Sequence, residues 1–469
     1  MLWIYLLASL LGNIILSEKK IDTKRLAWLF ASPLVGISTL ISIAILAIPL
    51  SLFSLDFRVL FASISMVFLV PLLFYKRRHF NLTWVYQILL RTLLTFAFSV
   101  LIHEVLTQMF VPIFTYDSFE MLEASRDIVY GNIDLENTAL ANWSLSYIGL
   151  QIIGVVLSLE YVKGVFGVIL VLTLISVLLS IGPAFRQVDY TRERLMTFLS
   201  LASFITLLFS QIFQTMVYYQ NGHSLVIAVF TFMFIHAVQD FHRKRFQFEL
   251  YHLVLLASLP LFRVEGFIYW LCFFFYANYI KVEKKNLFKI VLTLLPATVY
   301  FMVLFFVTIY SEVPRSFFLV VPVLNILLFL ALYIRDQVHF LDAFLERMEY
   351  IHIALMAYCV ALIISFDAAI TSLYAMIVNL FFSGLWGIFW ISSFVLLFIL
   401  LQSDNKASVY LVKNFFLAPF FLILFTGSVR GVPFRLTWGD SGNRMVFHLC
   451  LVIPILAFLN LKSKKIPHA

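Results

Sequence analysis

Apolar runs of about 17–30 residues, each nearly free of charge, follow one another along most of this chain. A helix of that length crosses the hydrocarbon of a bilayer. Lipid offers no partner to a backbone N–H or C=O, so only helices or closed barrels can span it. Barrel strands alternate in segments of about ten residues. The runs here do not alternate, and the reading is all-α, a polytopic transmembrane helix bundle. Composition agrees: 62% of the 469 residues are hydrophobic and 12% are charged, against about a quarter charged in a soluble domain. The net charge of +8 would suggest nucleic acid in a soluble protein. Here the basic residues sit beside spans, where they set orientation, so membrane lipids and no nucleic acid are the expected surroundings.

Reading the runs in order gives about 13–15 spans, 195–215 and 371–401 among them, with a long outer loop containing interfacial helices. With the N-terminus outside, most of the 33 Lys and Arg fall inside, in clusters such as Lys19/Lys20, Lys76/Arg77/Arg78, Arg243/Lys244/Arg245 and Lys462/Lys464/Lys465. This parity places segment 143–160 along the outer interface, with Trp143 and Tyr147 at headgroup level. It also makes 251–280 two short helices meeting at the outer surface. The C-terminal tail, 462–469, is then cytoplasmic. Residues 1–17 read as a retained first span. Cys272, Cys359 and Cys450 fall inside apolar runs and offer neither metal spacing nor a disulfide framework. Asn142-Trp143-Ser144 fits a glycosylation acceptor pattern.

The basic residues left outside are nearly all arginines, and topology does not require them there. They fall in loops with other polar groups. Loop 111–142 carries Asp117, Glu120, Glu123, Arg126 and Asp127 at helical spacings, above His103-Glu104. A solvated helix with ordinary i,i+3 and i,i+4 pairs would look the same. Arg263-Val264-Glu265-Gly266 interrupts a long apolar stretch. It is either a plain turn or a pair of charges retained for use. Loop 428–444 holds Arg430, Arg435, Asp440 and Arg444, with His448 one turn further on the face of Arg444. Arginine's fork suits a phosphate, although interfacial snorkelling also places arginines there. His223, after Tyr218-Tyr219-Gln220-Asn221-Gly222, marks a fourth mouth.

At these clusters the chain resembles the GT-C superfamily of membrane glycosyltransferases. Tyr116-Asp117 is similar to the start of that family's first extracytoplasmic loop, with Ser118 where some members carry a second acid. Arg263-Val264-Glu265-Gly266 resembles an Arg-Pro-Glu-Gly stretch of bacterial members, with Val264 where proline is usual. Ser441-Gly442-Asn443-Arg444-Met445, with His448 and Pro454, resembles the segment before a final span. The likeness covers about residues 84–461 and leaves 1–83 as additional N-terminal helices. It makes 84–461 a GT-C-like catalytic region with outer loops 111–160 and 428–444.

The resemblance implies transfer of a sugar from a polyprenyl-phosphate donor to a lipid, glycan or protein acceptor. This would take place on the outer face of a bacterial cytoplasmic membrane, in cell-envelope glycan or glycolipid synthesis. Asp117 would be the catalytic base. Arg263, Arg444 and His448 would hold the donor phosphate as charge develops on it. Glu265, Glu120 and His223 would hold sugar or acceptor. No metal ligands are assigned, and a divalent metal is left open. Two other classes share these features: a surface-polysaccharide polymerase using lipid-pyrophosphate glycans, and a lipid or solute transporter without chemistry.

Overall fold

The computed structural model describes residues 1–17, 25–51, 56–77, 80–109, 116–131, 145–181, 191–218, 222–241, 249–307, 318–334, 348–403, 405–429 and 432–460. Every regular element among them is helical. The N-terminal half comprises α1 (Leu2–Ile15), α2 (Arg25–Ser51), α3 (Phe57–Lys76), α4 (Leu82–Met109), α5 (Tyr116–Tyr130), α6 (Leu145–Val156) and α7 (Val165–Ile181). Next come α8 (Thr191–Leu208), α9 (Gln211–Tyr218), α10 (His223–Phe241), α11 (Leu250–Phe262), α12 (Gly266–Tyr279), α13 (Lys284–Leu292), α14 (Leu295–Val307) and α15 (Val320–Ile334). The last group is α16 (Tyr350–Ile364), α17 (Phe366–Val378), α18 (Phe389–Leu401), α19 (Lys406–Val412), α20 (Ala418–Val429), α21 (Ser441–Phe447) and α22 (Val452–Asn460).

Among the described residues, seven helical segments are long and apolar enough to cross a membrane, or eight if the bent pair α8–α9 is one span. Eight more of the described helices are apolar but shorter, at 10–17 residues. A count of about 13–15 spans requires most of those short helices to cross as well. The chain is a multi-pass membrane protein by the length and hydropathy of its helices.

Helix α2 lies at the centre, with 78% of its apolar window buried inside the protein. It packs on α1, α3, α6, α7 and α11. Its approach to α1 is close because small residues face each other. A Cβ at Gly12 would overlap the carbonyl oxygen of Ser32, and one at Gly36 that of Ala8. Close backbone approach through small residues is a common way for helices to associate in lipid. By contrast, only 11% of α3's window and 22% of α4's are buried. Their exposed Val67, Tyr86 and Leu101 suit a lipid-facing surface, since a water-facing apolar surface this large would be a liability. At the end of α3 the buried Lys76 donates Nζ to the carbonyl of Ile15, 3.3 Å away, where α1 leaves unsatisfied acceptors.

Three places differ from the sequence expectation. Segment 143–160 does contain a helix, but α6 is buried along its length from Leu145 to Val155 rather than presenting a face to headgroups. It is covered by α5, α2 and α11. Its exit is clasped by Gln151, which donates Nε2 to Val162 O at 2.7 Å and accepts from Val162 N at 3.0 Å. Arg126 of α5 reaches the carbonyl of Glu160 at 3.0 Å. Segment 195–215 is not one straight span: α8 and α9 meet at 58°. Segment 371–401 is broken where α17 unwinds into a π-turn at Asn379–Ser383, followed by residues 384–388. Leu385 and Gly387 there adopt positive φ, 63° and 60°. The amide of Ile212 on α9 donates to Leu385 O at 3.1 Å, so the two breaks support each other.

Candidate functional site

The turn joining α11 to α12 is set by its glycine. A Cβ at Gly266 would overlap the carbonyl oxygen of Leu259. The absent side chain lets the first turn of α12 lie against the last turn of α11. Arg263 leaves α11 in an extended conformation, φ −154° and ψ 143°, and its carbonyl accepts from Gly266 N at 2.8 Å. Its side chain folds back, and Nε donates to Glu265 Oε1 at 2.6 Å. Both side chains are buried, 7% and 5% exposed. The other carboxylate oxygen, Glu265 Oε2, is buried with no hydrogen-bond partner among the described residues. Burying such a pair between apolar helices does not by itself stabilise a fold.

Two distant stretches of chain meet this turn. Gly222, with φ 68°, turns the chain so that α10 begins at His223. His223 Nδ1 lies 2.9 Å from His448 Nε2. His448 Nδ1 lies 2.9 Å from the hydroxyl of Tyr269, which also donates to Met445 O at 3.1 Å. Tyr269 stands one turn beyond Glu265 on α12, on the same side of the helix. Both histidines are buried. Arg263 and Arg444 act on His223 electrostatically, and Arg263 also acts on His448. Arg444 is half-buried in α21.

The approach to α21 is held by backbone capping. Asp440 caps the helix, accepting from Gly442 N at 2.8 Å and from Arg435 N at 3.0 Å. Asn443 accepts from Trp386 Nε1 at 2.6 Å and donates to Gly384 O at 3.3 Å and Trp438 O at 3.0 Å. Asn379, in the π-turn, donates to Arg435 O at 2.7 Å. These bonds tie the broken α17–α18 connection to the helix that carries Arg444 and is followed by His448. Phe434 closes over Gly427 and Gly442, where a Cβ on either would strike its ring.

Of the residues singled out in the sequence, Arg263, Glu265, His223, His448 and Arg444 therefore gather in one place from three separate stretches. Glu120 is half-buried on α5, which packs chiefly on α6, and α6 packs on α11. Asp117 lies in the first turn of α5; its side chain, Arg430 and residues 219–221 fall outside the described residues. Tyr269, Asn443 and Trp386 were not singled out for a role by sequence reasoning. Spacing could have found Tyr269, a polar-tipped residue four positions after Glu265 in an apolar run. Among the described residues no group of three or more His, Cys, Asp or Glu is placed to hold a metal ion. Comparison with protein-family models, curated proteins and solved structures finds no match to this chain.

Proposed function

We propose that this chain is a membrane glycosyltransferase, similar to the GT-C superfamily. It would move a sugar from a polyprenyl-phosphate donor to a lipid, glycan or protein acceptor on the non-cytoplasmic face of a bacterial cytoplasmic membrane. The observation that carries the reading is the buried Arg263–Glu265 pair with His223, Tyr269, His448 and Arg444 assembled around it. Charged groups among membrane helices are expensive and persist where a ligand or partner uses them. An anionic headgroup on an apolar chain suits a cationic site between apolar helices. Arg263 and Arg444 would hold the phosphate, with His448 beside them. Glu265 would fix Arg263 and offer Oε2 to a sugar hydroxyl. Asp117 would take the acceptor's proton, and Glu120 would help to hold the acceptor.

The deciding experiment is transfer in liposomes containing the purified chain, a polyprenyl-phosphate sugar and a lipid acceptor. Single-sugar product supports the reading, a long glycan formed from a pyrophosphate donor favours a polymerase, and the absence of any transfer removes it. One observation favours a transporter as the second reading: the 58° break between α8 and α9 lies against the site helix through Phe213 and Phe447, whose rings are 5.9 Å apart. Broken helices beside a charged site are common in transporters. Flux of labelled lipid between leaflets without sugar transfer would establish that reading.

A further inference from the structure

His448 is engaged at both ring nitrogens. Nδ1 lies 2.9 Å from the hydroxyl of Tyr269, and Nε2 lies 2.9 Å from His223 Nδ1. The ring is fully enclosed. A phosphate could reach it only by displacing one of these partners. His448 is therefore better placed to orient its neighbours than to hold the donor.

What it transmits is set by Tyr269. The tyrosine has one hydroxyl proton and two contacts, His448 Nδ1 at 2.9 Å and the carbonyl of Met445 at 3.1 Å. That carbonyl has two lone pairs. The amide of His448 takes one, at 3.1 Å, and the other meets Tyr269. With neutral rings, two proton arrangements fit these contacts. In the first, Tyr269 donates to Met445 O, His448 Nδ1 donates to the tyrosine oxygen, and His223 Nδ1 donates to His448 Nε2. All three contacts are then hydrogen bonds. In the second, Tyr269 donates to His448 Nδ1, and His448 Nε2 donates to His223 Nδ1. The tyrosine oxygen then faces Met445 O at 3.1 Å with no proton between them. The first arrangement keeps one bond more, in a place closed to water where an unmade bond costs most. It puts the proton of both histidines on Nδ1 and makes Nε2 of His223 an acceptor. Whatever meets that nitrogen must donate.

We infer that Tyr269 is a positioning residue: acting through His448, it holds His223 in the Nδ1–H tautomer, so that His223 receives a hydroxyl of the sugar or acceptor and not a phosphate oxygen. This rests on the donor-site reading above. A hydroxyl has a proton to give, and a phosphodiester oxygen has none. The phosphate is left to Arg263 and Arg444.

The test is nitrogen-15 NMR of the histidine-labelled full chain in nanodiscs at pH 7, beside binding of a polyprenyl phosphate and the liposome transfer assay. The signals of the two rings are identified by their loss in His223→Gln and His448→Gln. In the unaltered chain both rings should carry the proton on Nδ1 and none on Nε2. Tyr269→Phe leaves an Nδ1–H on His448 with nothing to donate to, so the reverse tautomer should appear in both rings. The change at His223 is the telling one, because His448 stands between it and Tyr269. Transfer by Tyr269→Phe should fall about tenfold, the worth of one hydrogen bond. An Nε2–H on either ring of the unaltered chain, which needs no variant to detect, overturns the inference and leaves the donor-site reading standing. Unmoved tautomers in Tyr269→Phe overturn it too. If the tautomers are as expected but the unaltered chain binds no polyprenyl phosphate, the donor-site reading falls and the inference with it.

Discussion

Arg263 donates its Nε to Oε1 of Glu265 at 2.6 Å, two residues along the chain, with both side chains nearly closed to solvent. Each charge is tolerable because the other is there. Arg263→Met or Glu265→Met alone should lower stability by about 3–5 kcal/mol, because each leaves a buried charge without its partner. The double variant should recover much of that loss and remain inactive in transfer. Thermal unfolding of the detergent-solubilised chain, read beside the liposome assay, separates the two effects.

Gly266 and Gly439 form a matched pair for a test of the turn. A Cβ at Gly266 overlaps Leu259 O, whereas one at Gly439 meets nothing within 4 Å. Gly266→Ala should push α12 away from α11, displace Tyr269 from His448, and abolish transfer with a clear drop in melting temperature. Gly439→Ala should leave melting temperature and transfer within the scatter of the unaltered protein. Equal tolerance at the two positions would show that α11 and α12 do not need this approach.

Asn443→Ala strips partners from Trp386 Nε1, Gly384 O and Trp438 O together. Leaving buried polar groups unpaired costs about 1–3 kcal/mol each. Melting should fall even though no charge is altered, and turnover should fall with it because α21 carries Arg444 and ends at His448. A normal melting curve for Asn443→Ala would mean that these bonds do not hold α21.

The chemical roles are separable by what each variant retains. Asp117→Asn should bind the donor lipid normally and lose transfer by about 10²–10⁴-fold, as expected for loss of a general base. Arg444→Ala should lose donor binding as well as turnover, since phosphate is charged in both ground and transition states. Arg444→Lys should recover part, because a point charge does not reproduce the fork. Near-normal transfer by Asp117→Asn would move the base role to Glu120 or to His223.

Orientation is open to direct labelling. Phe119 is exposed on α5, and Gly439 lies in an open loop. Cysteines at 119 and 439 should react with an impermeant reagent added outside intact cells, and one at 244 should react after permeabilisation. The opposite pattern would invert the topology.

Hydropathy made most helices legible, because apolar length alone names a span. The α11–α12 turn was legible for the same reason, with Arg263 and Glu265 interrupting the run. Burial was less legible. Segment 143–160 looks like a surface helix by its Trp and Tyr, yet α6 is enclosed, because tertiary packing decides which apolar helices meet lipid. The break at 384–388 was hidden because its π-turn, Asn379–Ser383, lies within an apolar stretch. The charged residues of the site could be named from cost alone. The bond from His223 to His448 could not, since 225 positions separate them and no local pattern encodes the meeting.

The enclosure of α2 bears on biogenesis. Its partners include α1, which precedes it, and α7 and α11, which are synthesised much later. During translation α2 must reside in lipid with much of its final contact surface uncovered. Two of its hydroxyls can be quenched locally during that interval: Thr39 donates to Val35 O at 2.8 Å and Ser51 to Ile48 O at 2.7 Å. Gly12 and Gly36 let α1 lie close against it and cover one side. Substitutions at these glycines should therefore reduce the yield of inserted protein before they affect any property of the finished molecule.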